Sequence, residues 1–397
     1  MSVSDNVRAR MAEGSWVRKM FEEGINLKKR VGEENVFDLS LGNPIMEPPP
    51  DFKKELSRVV NNPTPGMHRY MENAGYLETR AAVATQLSQE TKIAFKADHI
   101  VMTCGAAGGL NVVLKTILNP GDEVIVFAPY FMEFANYIDN HGGLTRVVPT
   151  DEHFLPRLDI LDVVINAKTK GVIINSPNNP TGVVYSEKVV HELGEVLRKK
   201  EAQLGTTIFL ISDEAYRKIV YDEVKYVPVL HHYRNSIIVS SHSKDLALPG
   251  ERIGYIAIHP ECSNQEELVN GFIFCNRILG FVNAPALMQR VVRNLQAVTV
   301  SIAEYQKKRD FLYKNLSEMG YSIVKPQGAF YMFPKSPVED DMAFVDELRR
   351  SNVLVVPGRG FGTPGYFRIS YCVDDRTLER SLPGFKKAAQ KFNLCRV

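Results

Sequence analysis

The chain has 397 residues, is 44% hydrophobic and 24% charged, and carries a formal net charge of +2. That length supports one large domain and a smaller one, and the near-neutral balance gives no basis for a nucleic-acid or membrane partner. No apolar run approaches the roughly 20 residues of a membrane span. The amino terminus, Met1-Ser2-Val3-Ser4-Asp5-Asn6, has no basic-then-apolar leader. The five cysteines (Cys104, Cys262, Cys275, Cys372, Cys395) are scattered and form no CxxC pair. Neither a disulfide framework nor a zinc site is expected, and the reading is a reduced, cytoplasmic protein without a metal.

In chain order, residues 1–48 end in the turn-rich Gly42-Asn43-Pro44-Ile45, just before Pro48-Pro49-Pro50. The middle then alternates β-rich runs with amphipathic stretches, the pattern of α/β architecture. Strands are expected at His99–Thr103, Glu123–Ala128, Gly171–Asn175, Thr207–Ile211, Ser236–Ser240 and Ile253–His259. Helices are expected at Pro129–His141 and Ser186–Glu201. The strand runs are nearly continuous Val, Ile and Phe, as in sheets covered on both faces. Ligands in such sheets lie beyond the strand carboxyl ends. From about Val298 the texture changes: a charged helix over Ala303–Ser317, strands at Phe330–Phe333 and Tyr366–Tyr371, and a last helix through Leu378–Lys391. The expected division is a large domain over 49–297 and a small one from 1–48 with 298–397.

The residues that carry chemistry sit at the strand ends. Thr103-Cys104-Gly105-Ala106-Ala107-Gly108-Gly109 is a strand-to-helix junction of small residues whose N–H groups can receive a phosphate. Its spacing is not Gly-x-Gly-x-x-Gly, and tight helix–sheet packing explains it equally well. Tyr130 follows Glu123–Ala128, where an aromatic can stack on a ring or merely line a rim. In Asn175-Ser176-Pro177-Asn178-Asn179-Pro180-Thr181-Gly182 a turn is the plain reading. Asn179 is a better ligand contact than Asn178, because Pro180 restricts its backbone. Asp213 ends an apolar strand and opens Asp-Glu-Ala-Tyr. It is either a helix cap or a carboxylate that keeps a pyridine nitrogen protonated, with Tyr216 donating to the ring's phenolic oxygen. Arg368 lies in an alternating strand, facing either a substrate carboxylate or solvent.

The most informative run is Ser240-Ser241-His242-Ser243-Lys244, followed by Pro249-Gly250-Glu251-Arg252. A lysine held off the surface loses basicity and can attack a carbonyl. Hydroxyls and an arginine beside it suit a phosphate dianion. Together they suggest pyridoxal phosphate held as a Schiff base. The Ser-x-x-Lys spacing alone also fits a serine nucleophile, but the companion Ser-Asp-Asn and Lys-Thr-Gly strings are absent.

On Ser-Pro-Asn-Asn-Pro-Thr-Gly, Asp-Glu-Ala-Tyr and Ser-His-Ser-Lys-(x)4-Pro-Gly-x-Arg-x-Gly, the chain resembles the class I/II aminotransferases of PLP fold type I over nearly its whole length. The resemblance implies a seven-stranded, mostly parallel sheet between helices, a smaller α+β domain from both termini, and a homodimer with shared active sites. It implies Lys244, Asp213 and Tyr216 as catalytic residues. The cofactor would be held by Gly105, Ala106, Ala107, Tyr130, Asn179, Ser241 and Arg252, with Tyr70 reaching the partner's phosphate. Gly42, Asn179 and Arg368 would bind the substrate carboxylate. Ala106 and Ala107 replace hydroxyl residues that some members have, which leaves more phosphate binding to backbone, Ser241 and Arg252. The implied reaction moves an amino group from an L-amino acid to a 2-oxo acid such as 2-oxoglutarate by a ping-pong Schiff-base mechanism, with aspartate-type or broad specificity. The nearest alternative is a C–S lyase or other elimination enzyme of the same fold. A PLP-binding regulator and a nicotinamide dehydrogenase explain less of the constellation. Arg69, Arg277 and Lys28 are the cations considered for an acidic substrate side chain.

Overall fold

A computed structural model describes residues 2–13 and 16–394; Met1 and Cys395 lie outside the described residues. Seven strands form the central sheet and are labelled here in chain order: β1 (Ile100–Thr103), β2 (Glu123–Ala128), β3 (Leu144–Pro149), β4 (Thr169–Asn175), β5 (Phe209–Asp213), β6 (Ser236–Ser241) and β7 (Gly254–Ile258). Their spatial order is β1-β7-β6-β5-β4-β2-β3. All neighbours pair in parallel except β7, which runs antiparallel to both β6 and β1. The mostly parallel seven-stranded α/β sheet therefore matches the sequence-based expectation.

The Val/Ile runs of β2, β4, β6 and β7 are buried on both faces because helices cover both sides. Gly105–Ile117 packs on β6 and β7 from one side. β3 went unread in the sequence, and the reason is visible in its burial. It is the edge strand, most of its side chains reach solvent, and Arg146 and a terminal proline break the apolar run.

Six parallel strands point one way and β7 the other. The carboxyl ends of six strands and the amino end of β7 therefore share one edge of the sheet. Arg252, two residues before β7, is delivered to the same edge as Lys244, three residues after β6. The expected helix over Pro129–His141 is shorter, Glu133–Asp139, because Ala128–Phe131 turns over that edge first.

Beyond the sheet the two ends of the chain meet. Phe37–Asp38 pairs in parallel with Val353–Leu354. Val356–Pro357, Phe367–Ser370 and Tyr331–Met332 form a three-stranded antiparallel sheet. Its register sets Tyr331 opposite Ser370, so Arg368 is the diagonal neighbour of Tyr331 on one face. Long helices at Ile302–Glu318 and Asp375–Lys391 pack together against this region. Among the described residues, no helix is long and apolar enough to cross a membrane.

Candidate active site

A cavity of about 310 Å³ opens where the carboxyl edge of the central sheet meets the small antiparallel sheet. Of the residues singled out in the sequence, it gathers Gly42, Ala106, Ala107, Asn179, Asp213, Tyr216, Ser241, Lys244, Arg252 and Arg368. They come from seven separate stretches of chain.

Lys244 sits in the short helix His242–Asp245 that follows β6. Its Nζ donates to the Gly42 carbonyl at 2.7 Å and lies 5.4 Å from the Phe330 ring centroid. Burial, with the nearby Arg368 and Arg252 charges, brings its pKa down to about 8. A substantial neutral fraction at physiological pH makes it a usable nucleophile and base.

Asp213 closes β5 and is buried, with the Ala215 N–H as its hydrogen-bond donor. Among the described residues it has no cationic partner, and burial pushes it up to about 7. The Asn175 amide holds the backbone here: Nδ2 donates to the Asp213 carbonyl, and Oδ1 accepts from the Asn179 N–H. Asn178 is taken up within its own turn, accepting from the Thr181 N–H and hydroxyl. Asn179 is thereby left to face the cavity.

The end of the cavity expected to receive a phosphate is a helix start. Gly105–Ile117 begins at the cavity with Ala106 and Ala107 in its first turn. Gly105 has φ +71, and a Cβ there would lie 2.6 Å from Arg252 Nη2. Only glycine lets the arginine come this close to the helix end. Arg252 donates to the carbonyls of Pro249 and Cys104, and among the described residues no carboxylate pairs with it. Ser241 and Ser243 are buried and line the same cavity. An N-terminal helix turn, two hydroxyls and an uncommitted guanidinium form a receptor for a dianion.

Across the cavity Arg368 is only 2% exposed. Its guanidinium donates to Asn179 Oδ1 at 2.9 Å and to the Ser40 carbonyl at 2.5 Å. It lies between the rings of Tyr331 and Phe361, 4.6 and 4.8 Å from their centroids. Its Nε–H has no hydrogen-bond acceptor, and burial lowers its pKa from the usual arginine value. A buried guanidinium held by neutral groups calls for an anion.

Two positions differ from the sequence reading. Tyr130 does not line the cavity: its ring packs toward Gly362, and its N–H donates to the Phe361 carbonyl. The aromatic that the wall presents is Phe131, next in the chain, with Tyr137 beyond it. Tyr70, assigned to the partner's phosphate and not to this cavity, has 87% of its surface exposed. Gly105 shapes the helix start without lining the space. Of the cations considered for an acidic side chain, Lys28 lines a different cavity and pairs with Glu33, while Arg69 and Arg277 are exposed outside the site. Sequence reasoning missed Asn175, Phe131, Ser243 and Tyr331. Asn175 and Ser243 sit inside the motifs already quoted, whereas Tyr331 carried no signal beyond its strand.

The model for aminotransferase class I and II matches residues 34–383, and the chain belongs to that family. Its fold is accordingly PLP fold type I, and its reaction class is amino-group transfer. An aminotransferase structure from Eubacterium rectale is 41% identical, with a TM-score of 0.95, covering 99% of this chain and 100% of the other. A probable aspartate aminotransferase of Methanocaldococcus jannaschii is 31% identical, over 87% of this chain and 91% of its own. An aromatic-amino-acid aminotransferase of Thermococcus litoralis is also 31% identical, over 99% and 100%.

Proposed function

We propose that this aminotransferase works with pyridoxal 5′-phosphate, moving the amino group of an L-amino acid to a 2-oxo acid such as 2-oxoglutarate. One observation carries the reading. A single cavity holds a lysine of lowered basicity and, among the described residues, a buried carboxylate without a cation and a buried guanidinium without a carboxylate. Each matches one part of the cofactor–substrate pair: the aldehyde carbon, the ring N–H and the substrate α-carboxylate. The phosphate dianion suits the fourth feature, the helix start with Ser241, Ser243 and Arg252.

Bound pyridoxal phosphate supplies an electron sink that acidifies the substrate's Cα–H. The chain's own residues do the rest. Lys244 would hold the cofactor, and its amine of lowered basicity would serve as the general base for the Cα proton. Asp213 would keep the ring nitrogen protonated, and a ring N–H beside it would return its own pKa toward the ordinary carboxylate range. Tyr216 and Asn179 would hold the ring oxygen, and Phe131, which lines the cavity, would take the stacking role assigned to Tyr130 in the sequence. Arg368, with Asn179 and the Gly42 backbone, fixes the carboxylate so that the Cα–H faces Lys244.

The relatives' names support an aspartate-type or broad specificity. Among the described residues, however, the cavity lining offers no cation beyond Lys244, Arg252 and Arg368. An acidic side chain therefore needs a cation from a second copy of the chain. Tyr70, Leu77, Phe274 and Ile278 are exposed on segments joined by Asn73 and Asn276 hydrogen bonds, which favours a homodimer through this face. The large domain is taken as 49–297 and the small one as 1–48 with 298–397.

The test is an absorbance titration of the protein loaded with pyridoxal phosphate, adding single amino acids without any oxo acid. Loss of the visible band with one equivalent of 2-oxo acid released is the expected result, and Lys244→Ala abolishes turnover. Absence of a visible band after loading overturns the role of Lys244. Pyruvate and ammonia formed catalytically without an acceptor identify an elimination enzyme instead.

A further inference from the structure

The two halves of the cavity come from regions far apart in sequence, yet one side chain touches both. Tyr331 stands opposite Ser370 in the small sheet, and its ring lies under the Arg368 guanidinium. Its hydroxyl is 2.9 Å from the Tyr216 hydroxyl, in a buried contact in which either group can donate. The same hydroxyl presses on Gly42, where a Cβ would sit 1.9 Å from it. Gly42 in turn supplies the carbonyl that Lys244 donates to. Tyr331 thus meets the carboxylate clamp, the residue assigned to the cofactor's ring oxygen, and the backbone that holds the lysine.

We propose that Tyr331 is a positioning residue for the transfer reaction, its ring setting the Arg368 clamp and its hydroxyl setting the hydrogen-bonding state of Tyr216. This rests on the reading of Lys244 and Tyr216 as cofactor contacts. A tyrosine hydroxyl has one proton to donate. If Tyr331 donates to Tyr216, the Tyr216 proton points to the ligand and is the stronger donor for it. If Tyr331 accepts, the Tyr216 proton is shared away from the ligand. In both cases removing the Tyr331 hydroxyl changes what Tyr216 offers the ring oxygen. That in turn changes the proton affinity of the nitrogen joining Lys244 to the cofactor. The ring acts separately: a desolvated guanidinium over an aromatic face is held in place by it.

Two variants separate the two parts. Tyr331→Phe keeps the ring and removes the hydroxyl, whereas Tyr331→Leu removes both. The readout is the pH titration of the visible absorbance of the cofactor-loaded protein, together with KM and kcat for an amino acid the parent accepts. Tyr331→Phe is expected to move the titration midpoint by about 0.5 to 1 pH unit and leave KM within about threefold. An upward shift means that Tyr331 was the donor to Tyr216, and a downward shift that it was the acceptor. Tyr331→Leu is expected to raise KM by about tenfold or more as well. Tyr305→Phe is the control. It removes a buried hydroxyl that has no hydrogen-bond partner among the described residues, on a ring packed against Phe330, and should leave the midpoint where it was. A Tyr331→Phe midpoint equal to the parent's, or a shift that Tyr305→Phe reproduces, overturns the inference. A parent protein that shows no titrating visible band overturns the underlying cofactor reading with it.

Discussion

Two buried arginines in this molecule look alike until their partners are compared. Arg309, in the helix Ile302–Glu318, and Arg368, at the cavity, are both essentially inaccessible, and both stack on a tyrosine. Each leaves its Nε–H without an acceptor. Arg309, however, grips both Asp222 oxygens at 2.7 and 2.8 Å and also meets Asp310. Among the described residues Arg368 meets an amide oxygen, a carbonyl and two rings, and no carboxylate. The net effect raises the pKa of Arg309 and lowers that of Arg368, burial being the largest influence on both. Asp245 and Asp213 repeat the contrast. Asp245 pairs with His242 and Lys218 and is pulled down to about 2 against strong burial, while Asp213 has no cation and is pushed up to about 7. Burial does not distinguish site from scaffold here. Arg309 and Asp245 are paired within the chain, whereas Arg368 and Asp213 have no oppositely charged side chain beside them among the described residues, as expected of charges reserved for a ligand.

The arginine pair gives the largest expected effect. Arg368→Gln should lower kcat/KM about 30-fold or more and leave the melting temperature at or above that of the parent, since an unpaired buried charge is removed. Arg309→Gln should do the reverse. It should cost about 1–3 kcal/mol of stability, less than the about 3–5 kcal/mol of a wholly buried pair because Asp222 is part-exposed, with kcat/KM near the parent value. Denaturant unfolding and steady-state kinetics on both variants check this. Equal losses of stability in the two would erase the distinction between them.

The aspartates sharpen the comparison through pH. The folded, cofactor-free protein binds a proton at Asp213 that the unfolded chain releases near the ordinary value of 3.8. Stability therefore falls as pH rises from about 4 to about 7, by at most about 4 kcal/mol at 1.36 kcal/mol per unit. Asp245 works oppositely: its contribution is present above 3.8 and is lost as pH falls through about 2. Melting curves between pH 5 and 8 should show Asp213→Asn gaining on the parent as pH rises. Asp245→Asn should be the less stable protein throughout. An Asp213→Asn curve parallel to the parent's would remove the unpaired acid from the account.

Much of this was legible in the sequence because strand ends are. The runs Ile237-Ile238-Val239 and Ile208-Phe209-Leu210-Ile211 announce buried parallel strands, and whatever follows them must lie at the ligand edge. Lys244, Asp213 and Asn179 were found that way. Arg252 came with the lysine motif, although it reaches the site from the amino end of the antiparallel strand β7. Arg368 was placed in an alternating strand, but whether it faced the cavity depended on the register of the small sheet, which the sequence does not display. The same missing register hid Tyr331. The edge strand β3 escaped because its composition is that of a surface.

The smallest expected effect concerns two adjacent aromatics that sequence could not tell apart. In Pro129-Tyr130-Phe131 the chain turns over the end of β2, and which ring faces the ligand depends on the path of that turn. Tyr130 is directed to the Phe361–Gly362 loop, whose Phe361 ring also covers the Arg368 guanidinium. Phe131 lines the cavity. Phe131→Leu should therefore weaken cofactor binding about 2- to 10-fold, the range expected for a lost ring stack, with little change in melting temperature before loading. Tyr130→Leu should lower the melting temperature of the unloaded protein through lost packing and change cofactor affinity less than Phe131→Leu does. Affinity measured by recovery of the visible band on adding pyridoxal phosphate decides between them. If Tyr130→Leu is the variant that loosens the cofactor, the stacking role returns to Tyr130, and Phe131 becomes a rim residue.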